Sequence, residues 1–312
     1  LWVVLNFVWS SLVFEGDFVV RFVSFRHNNN PPALGIRQGE QITYLNSAAD
    51  ADPKTDRLFE LLNAAPGSLM DAAAQATESK SHKTVVYSDV KLCPLIRRPG
   101  KVICLGLNYA EHAKEGGFQV PDYPAIFLRA STSLIGAKEP IILPLCSETL
   151  DYEAELAVVI GRRGRYIQEE EALGYVAGYS IFNDASVREY QRRTSQWTMG
   201  KNFDGTGAFG PELVTPDELP PGADGLRIQT RLNDRVVQDA NTRDMIVGVA
   251  RTIALVSEVM TLEPADVIIT GTPPGVGHAR TPPLWLRDGD VCEVEIEGIG
   301  ILDNPVLAEK RR

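Results

Sequence analysis

Between Lys101 and Ile296 the chain breaks repeatedly into short apolar runs, and this punctuation limits the fold more than any other feature of the sequence. Residues 102–107, 125–128, 141–143, 156–160, 176–183, 226–232, 267–269 and 291–296 are rich in Val, Ile and Leu, with Pro- and Gly-containing segments between them. Runs of this length are strand-sized. They do not alternate with helical patterns as a doubly wound sheet requires, so the expected class is α+β, mainly β. Residues 108–115 read as a short helix, and only 186–193 and 242–260 read as substantial ones in this region, with apolar residues at roughly helical spacing in the second. No internal repeat or low-complexity tract is present.

Upstream, 21–25 reads as the first strand, and 33–36 and 41–45 flank the tight turn Arg37-Gln38-Gly39-Glu40. Residues 55–62 and 68–79 read as short helices, and 85–95 returns to extended chain. The expected organisation is a small α/β N-terminal domain over 21–95 followed by a larger domain over 101–308. Residues 1–20 are expected to be an extension outside the domain. Their apolar run is broken by Asn6, Ser10 and Ser11, is shorter than the roughly 20 residues of a membrane span, and lacks the basic start of a signal peptide, an export signal being the alternative.

The net charge of −10 on 312 residues argues against nucleic acid and anionic membranes as partners. It does not exclude an anionic substrate, because a local cation can outweigh the global field. Cys93, Cys104, Cys146 and Cys292 form no C-x-x-C pair, which fits free thiols in a reducing, cytoplasmic setting.

Chemistry first enters at Asp151-Tyr152-Glu153-Ala154-Glu155, which leads into the apolar run ending at Ile160. On a strand, residues two apart share a face. Glu153 and Glu155 would then stand side by side and repel unless a proton or cation lies between them. The plain alternative is a solvated strand face. Asp184 follows the run 176–183 and reads either as a helix cap or, with Arg188 and Gln191 along one helical face, as the wall of a polar pocket. Lys201 sits before the glycines at 205, 207 and 210, so that segment is not a phosphate loop. The loop Thr270-Gly271-Thr272-Pro273-Pro274-Gly275-Val276-Gly277 follows a strand and offers backbone N–H groups as a carboxylate cradle. Of the four histidines, only His112 has an acidic residue at helical spacing, Glu115. Such a carboxylate orients the imidazole and leaves its other nitrogen free as a base.

Six motifs then occur in order: Asn108-Tyr109-x-x-His112, Asp151-x-Glu153-x-Glu155-Leu156, Phe182-Asn183-Asp184, Gln196-Trp197-x-x-Gly200-Lys201, Gly207-Ala208-Phe209-Gly210-Pro211, and Thr270-Gly271-Thr272-Pro273-x-Gly275-Val276-Gly277. The set closely resembles the fumarylacetoacetate hydrolase family, in its acylpyruvase or fumarylpyruvate hydrolase-like form. The resemblance implies a C-terminal domain with that family's mixed β-sandwich roll, and a homodimer. It implies Mg²⁺, or Mn²⁺ or Ca²⁺, on Glu153, Glu155 and Asp184, a set of oxygen ligands suited to a hard cation. It makes His112 and Glu115 a water-activating dyad on a lid and Lys201 the stabiliser of an enolate. It assigns Arg188, Gln191, Thr272 and Tyr109 to the 2-oxo acid substrate, and Arg129 to a second carboxylate contact.

The activity implied by the resemblance is metal-dependent hydrolysis of the C–C bond of an acylpyruvate or fumarylpyruvate-like β-diketo acid. The alternative is a decarboxylase or isomerase of a 2-oxo dicarboxylate, of the oxaloacetate or hydroxymuconate type, at the same metal site.

Overall fold

The computed structural model describes residues 20–45, 56–78 and 82–311, so the expected extension lies outside the described residues but for Val20. Three strands come first, β1 (Arg21–His27), β2 (Ala33–Gln38) and β3 (Gln41–Tyr44), paired antiparallel in sequence order. Helices α1 (Arg57–Asn63) and α2 (Ser68–Glu78) precede β4 (Thr84–Val86) and β5 (Val90–Leu92). Asp56 caps α1: its carboxylate accepts from the N–H of Phe59 at 3.3 Å and of Arg97 at 2.6 Å.

The remainder runs β6 (Val102–Gly106), α3 (Ala110–Glu115), β7 (Ala125–Arg129), β8 (Leu134–Ile135), β9 (Ile141–Leu143), β10 (Leu150–Asp151), β11 (Ala154–Ile160), β12 (Val176–Asp184) and β13 (Ser186–Val187). Then follow α4 (Arg188–Gln191), α5 (Thr198–Lys201), β14 (Gly207–Val214), β15 (Arg227–Leu232), β16 (Arg235–Asn241), α6 (Val249–Val259), β17 (Val267–Ile269), β18 (Val291–Ile296) and β19 (Gly300–Ala308). One 12-stranded sheet follows the path β4-β3-β2-β1-β14-β12-β11-β17-β6-β7, with β5 on β1 and β8 on β14. A 5-stranded sheet has the order β16-β15-β18-β19-β9, and β10 pairs with β13.

Strand β11 explains its own composition. All seven of its residues are buried, between β12 on one edge and β17 on the other. Leu156, Val158 and Ile160 face a core shared with Ile228, Val294 and Ile253 of the second sheet and α6. Ala157 and Val159 face the opposite core, with Leu58 and Leu61 of α1. From Leu156 to Ile160 both faces of the strand are covered by core, which is why that run is continuously apolar, and Glu155, just before it, is the strand's one buried charged position. Each fully buried Leu, Ile or Val adds about 1.5–3 kcal/mol.

Tertiary contacts override local pattern in three places. The helix expected over 186–193 is only one turn, because Ser186 and Val187 extend to pair with Asp151 and Leu150. The helix expected over 242–260 starts at Val249: Asn108 takes the N–H of Val247 on its side-chain oxygen (2.8 Å) and that of Ile246 on its carbonyl (2.8 Å), holding the chain out of helix there. The glycine-dense segment after Lys201 enters β14, where a Cβ at Gly207 would meet the Arg129 guanidinium at 2.9 Å.

Candidate active site

The antiparallel register of β11 and β12 creates the site. Ala154 lies opposite Asn183, and the N–H of Asp184 donates to the carbonyl of Glu153 at 2.9 Å. Glu153 thus sits in the break between β10 and β11 rather than on a strand, yet faces Asp184 at the end of β12, with Glu155 one pleat further in. Carboxylate oxygens of Glu153, Glu155 and Asp184, all buried, lie within 4.8 Å of one another. Asp184 caps no helix; its carboxylate belongs to this cluster.

Counter-charges are supplied unevenly. Lys201 Nζ, on α5, donates to Glu153 and to Asp184 at 2.6 Å each. Arg188 Nη1 pairs with Glu153 at 2.6 Å, and Arg129 Nη1 pairs with Asp184. Burial works to raise the Glu153 carboxyl, but Lys201 and Arg188 outweigh it and hold the group far below the usual carboxylate range. Glu155 has no ion pair among the described residues and accepts only the N–H of Gly271. Burial, reinforced by Asp184 and Glu153, pushes its carboxyl well up. With Asp151 included, four buried carboxylates face three buried cations. Three hard oxygen donors, one of which, Glu155, has no cation paired to it among the described residues, fit a divalent, oxygen-preferring cation.

The base expected on α3 has the expected partner. His112 Nδ1 lies 2.9 Å from Glu115 Oε1, and Glu115 Oε2 accepts the N–H of Gly275 at 2.9 Å. The loop expected as a carboxylate cradle does hold carboxylates, but they are the protein's own: Gly271 donates to Glu155, Gly275 to Glu115, and Gly277 and His278 to Asp151. At Gly271 (φ +94°) a Cβ would meet Asn108 Cβ at 2.8 Å, so glycine is required.

His112, Arg188, Gln191, Lys201 and Thr272 border one small cavity together with Glu153 and Glu155. Arg129 and Tyr109 are not on its wall. Arg129 is fully buried behind Asp184, bonded also to Thr206 at 2.9 Å and Ser133 at 3.2 Å. Tyr109 is buried with its hydroxyl unpartnered, and burial pushes that hydroxyl up. The structure adds wall residues that had no assigned role, among them Trp197, Phe127 and His278. Gly106 makes room for the Trp197 ring, which a Cβ would meet at 2.0 Å. Asp151 opened a motif in the sequence, but the signal for its role was its burial as a fourth carboxylate. His278 has no acidic residue at helical spacing, and its acidic neighbour, Asp151, is distant in the chain.

Residues 101–307 match the family described as Fumarylacetoacetate (FAA) hydrolase C-terminal. A Xenopus laevis protein named as a mitochondrial oxaloacetate tautomerase is 39% identical over 293 residues, covering 92% of this chain and 90% of its own. The solved structure of 5-carboxymethyl-2-hydroxymuconate delta-isomerase from Mycobacterium smegmatis aligns with a TM-score of 0.73 at 31% identity, over 93% of this chain and 100% of that one. Maleylpyruvate hydrolase from a Sphingobium species, solved in complex with manganese(II) ion and pyruvate, aligns with a TM-score of 0.77 at 28% identity, over 93% and 100%. Among the described residues, no helix is long and apolar enough to cross a membrane.

Proposed function

The chain belongs to the fumarylacetoacetate hydrolase family, with that family's α+β fold, and from that premise we propose that it interconverts the keto and enol forms of a 2-oxo dicarboxylate such as oxaloacetate. One observation carries the reading: a carboxylate-braced histidine, a buried ammonium and Glu153 and Glu155, two members of a buried three-carboxylate cluster, border a single cavity. The 39% identical relative named as an oxaloacetate tautomerase favours isomerisation over C–C hydrolysis as the outcome. The reading includes a divalent cation on Glu153, Glu155 and Asp184, Mg²⁺ or Mn²⁺ being suitable. When bound, it supplies the positive charge that makes a 2-oxo carboxylate and its enolate form welcome there.

The chain's own residues then have defined tasks. Glu115, fixed by Gly275, holds the Nδ1 proton of His112 and leaves Nε2 as the base. His112 Nε2 takes a proton from C3 of the keto form; the C3–H electron pair becomes the C2–C3 double bond and charge moves to the C2 oxygen. Lys201 lends that oxygen an ammonium hydrogen bond. His112 then delivers the proton to the oxygen, giving the enol, and the reverse sequence restores the ketone. Arg188, Gln191 and Thr272 position the carboxylates of the substrate. A homodimer taking a small 2-oxo acid, with no nucleic acid or membrane partner, accompanies this proposal.

The test follows the enol absorbance of oxaloacetate with Mg²⁺ present. His112→Ala is expected to slow tautomerisation by about 10²–10⁴-fold while Mg²⁺ still raises the melting temperature. Full tautomerase activity in that variant would falsify the assignment of the base. The second reading, hydrolysis, draws support from the likeness to maleylpyruvate hydrolase. It predicts that acetylpyruvate and one water yield pyruvate and acetate, whereas a tautomerase releases neither.

A further inference from the structure

Two buried side chains on the cavity wall keep polar atoms that nothing in the protein satisfies. Arg188 commits Nε to Asp151 Oδ2 at 2.8 Å and Nη1 to Glu153 at 2.6 Å and Gln191 at 3.0 Å, but its buried Nη2 has no partner. His278, with a side chain 9% exposed, places Nδ1 3.4 Å from the same Asp151 oxygen, and neither ring nitrogen makes a hydrogen bond. Because both hang on one oxygen atom, the two unsatisfied groups are neighbours. Their mount is rigid: Asp151 accepts the N–H of Gly277 at 2.7 Å and of His278 at 2.9 Å, and its own carboxyl is held below the usual range by Arg188 against the effect of burial. Buried polar atoms without partners are costly, and a ligand that pairs them recovers that cost.

The complement of a free guanidinium edge beside an imidazole is a carboxylate, whose two oxygens accept from both. We propose that His278 and Nη2 of Arg188 form a second carboxylate subsite, which takes the distal carboxylate of a 2-oxo dicarboxylate and makes the cavity prefer dicarboxylic over monocarboxylic 2-oxo acids. This deepens the tautomerase reading and rests on it. Nδ1 of the imidazole lies towards Asp151, so Nε2 is the ring atom that meets the incoming carboxylate. Lys201, Thr272 and the acidic cluster are left to the oxo-acid end.

The experiment titrates the Mg²⁺-loaded full chain by calorimetry with oxaloacetate and with pyruvate, which has the oxo-acid end alone. The parent protein is expected to bind oxaloacetate the more tightly. His278→Leu is expected to weaken oxaloacetate at least about tenfold and to leave pyruvate within about twofold; His278→Gln, which keeps a donor, recovers part of the loss and serves if the Leu variant does not fold. Equal losses for both ligands would mean that His278 only supports the fold, and an unchanged oxaloacetate affinity, or a parent protein without preference, would equally overturn the subsite. A parent protein that shows the His278-dependent preference yet interconverts no tautomers would sink the tautomerase reading and leave the subsite standing.

Discussion

At the scale of single residues, Glu155 is the side chain that most needs something the protein does not provide. It is buried beside two other carboxylates, and its carboxyl is pushed well up by burial and by Asp184 and Glu153. Glu155→Gln keeps an acceptor for the N–H of Gly271 and removes the charge. Without metal, the variant is expected to melt at or above the temperature of the parent. With Mg²⁺, the order reverses: the parent gains about 2.7 kcal/mol at a hundred times its Kd, and the variant gains little. Thermal melts with Mg²⁺ and with chelator check both halves, and an undiminished Mg²⁺ shift in the variant would remove Glu155 from the ligand set. Glu153 and Glu155 were legible in the sequence because carboxylates two apart at the mouth of an apolar run are a local anomaly. The contact between Asp151 and His278 was not legible, because its members are far apart in the chain and only the loop's return brings them together.

At the scale of elements, the loop after β17 is the brace for the whole site. Its N–H groups fix Glu155, Glu115 and Asp151, and Gly271 packs on Asn108, whose side chain donates to the carbonyls of Thr270 at 2.7 Å and Val247 at 3.0 Å. Gly271→Ala forces a Cβ to a left-handed φ and against both Asn108 and the Leu105 carbonyl at 3.2 Å. Destabilisation of about 1–3 kcal/mol is expected. Turnover should fall further than the folded fraction does, since the Glu155 donor moves with the loop. Denaturant unfolding set beside activity measures the two separately; an activity loss that only tracks unfolding would contradict the bracing role. Strands 141–143, 267–269 and 291–296 were readable to the residue, as apolar runs with clear ends. The late start of α6 was not, because the group that delays it is Asn108, in another part of the chain.

At the scale of the whole molecule, the question is how far the site depends on the N-terminal strands. Reading along the chain separates 21–95 from 101–308, yet β1 hydrogen-bonds to β14 and the 12-stranded sheet runs across that boundary. Such pairing is non-local and leaves no mark in a linear pattern. Arg21 ties the junction: it donates to Glu212 of β14 at 3.2 Å, and to the carbonyls of Ile299 and Gly298, at the turn between β18 and β19, at 2.6 Å and 2.8 Å. Val23 and Phe25 lie in the same core cluster as Leu156 and Val158. A shared sheet and a shared core predict one cooperative unit. Amides of β1 and β2 should exchange with deuterium at the same opening free energy as those of β11 and β12. Arg21→Ala should lower both together by about 1 kcal/mol, since the guanidinium is partly exposed and its charged hydrogen bonds are worth less than buried ones. A separate, lower-energy opening of β1 and β2, with β11 and β12 unmoved by the substitution, would show that the junction joins two independent folding units.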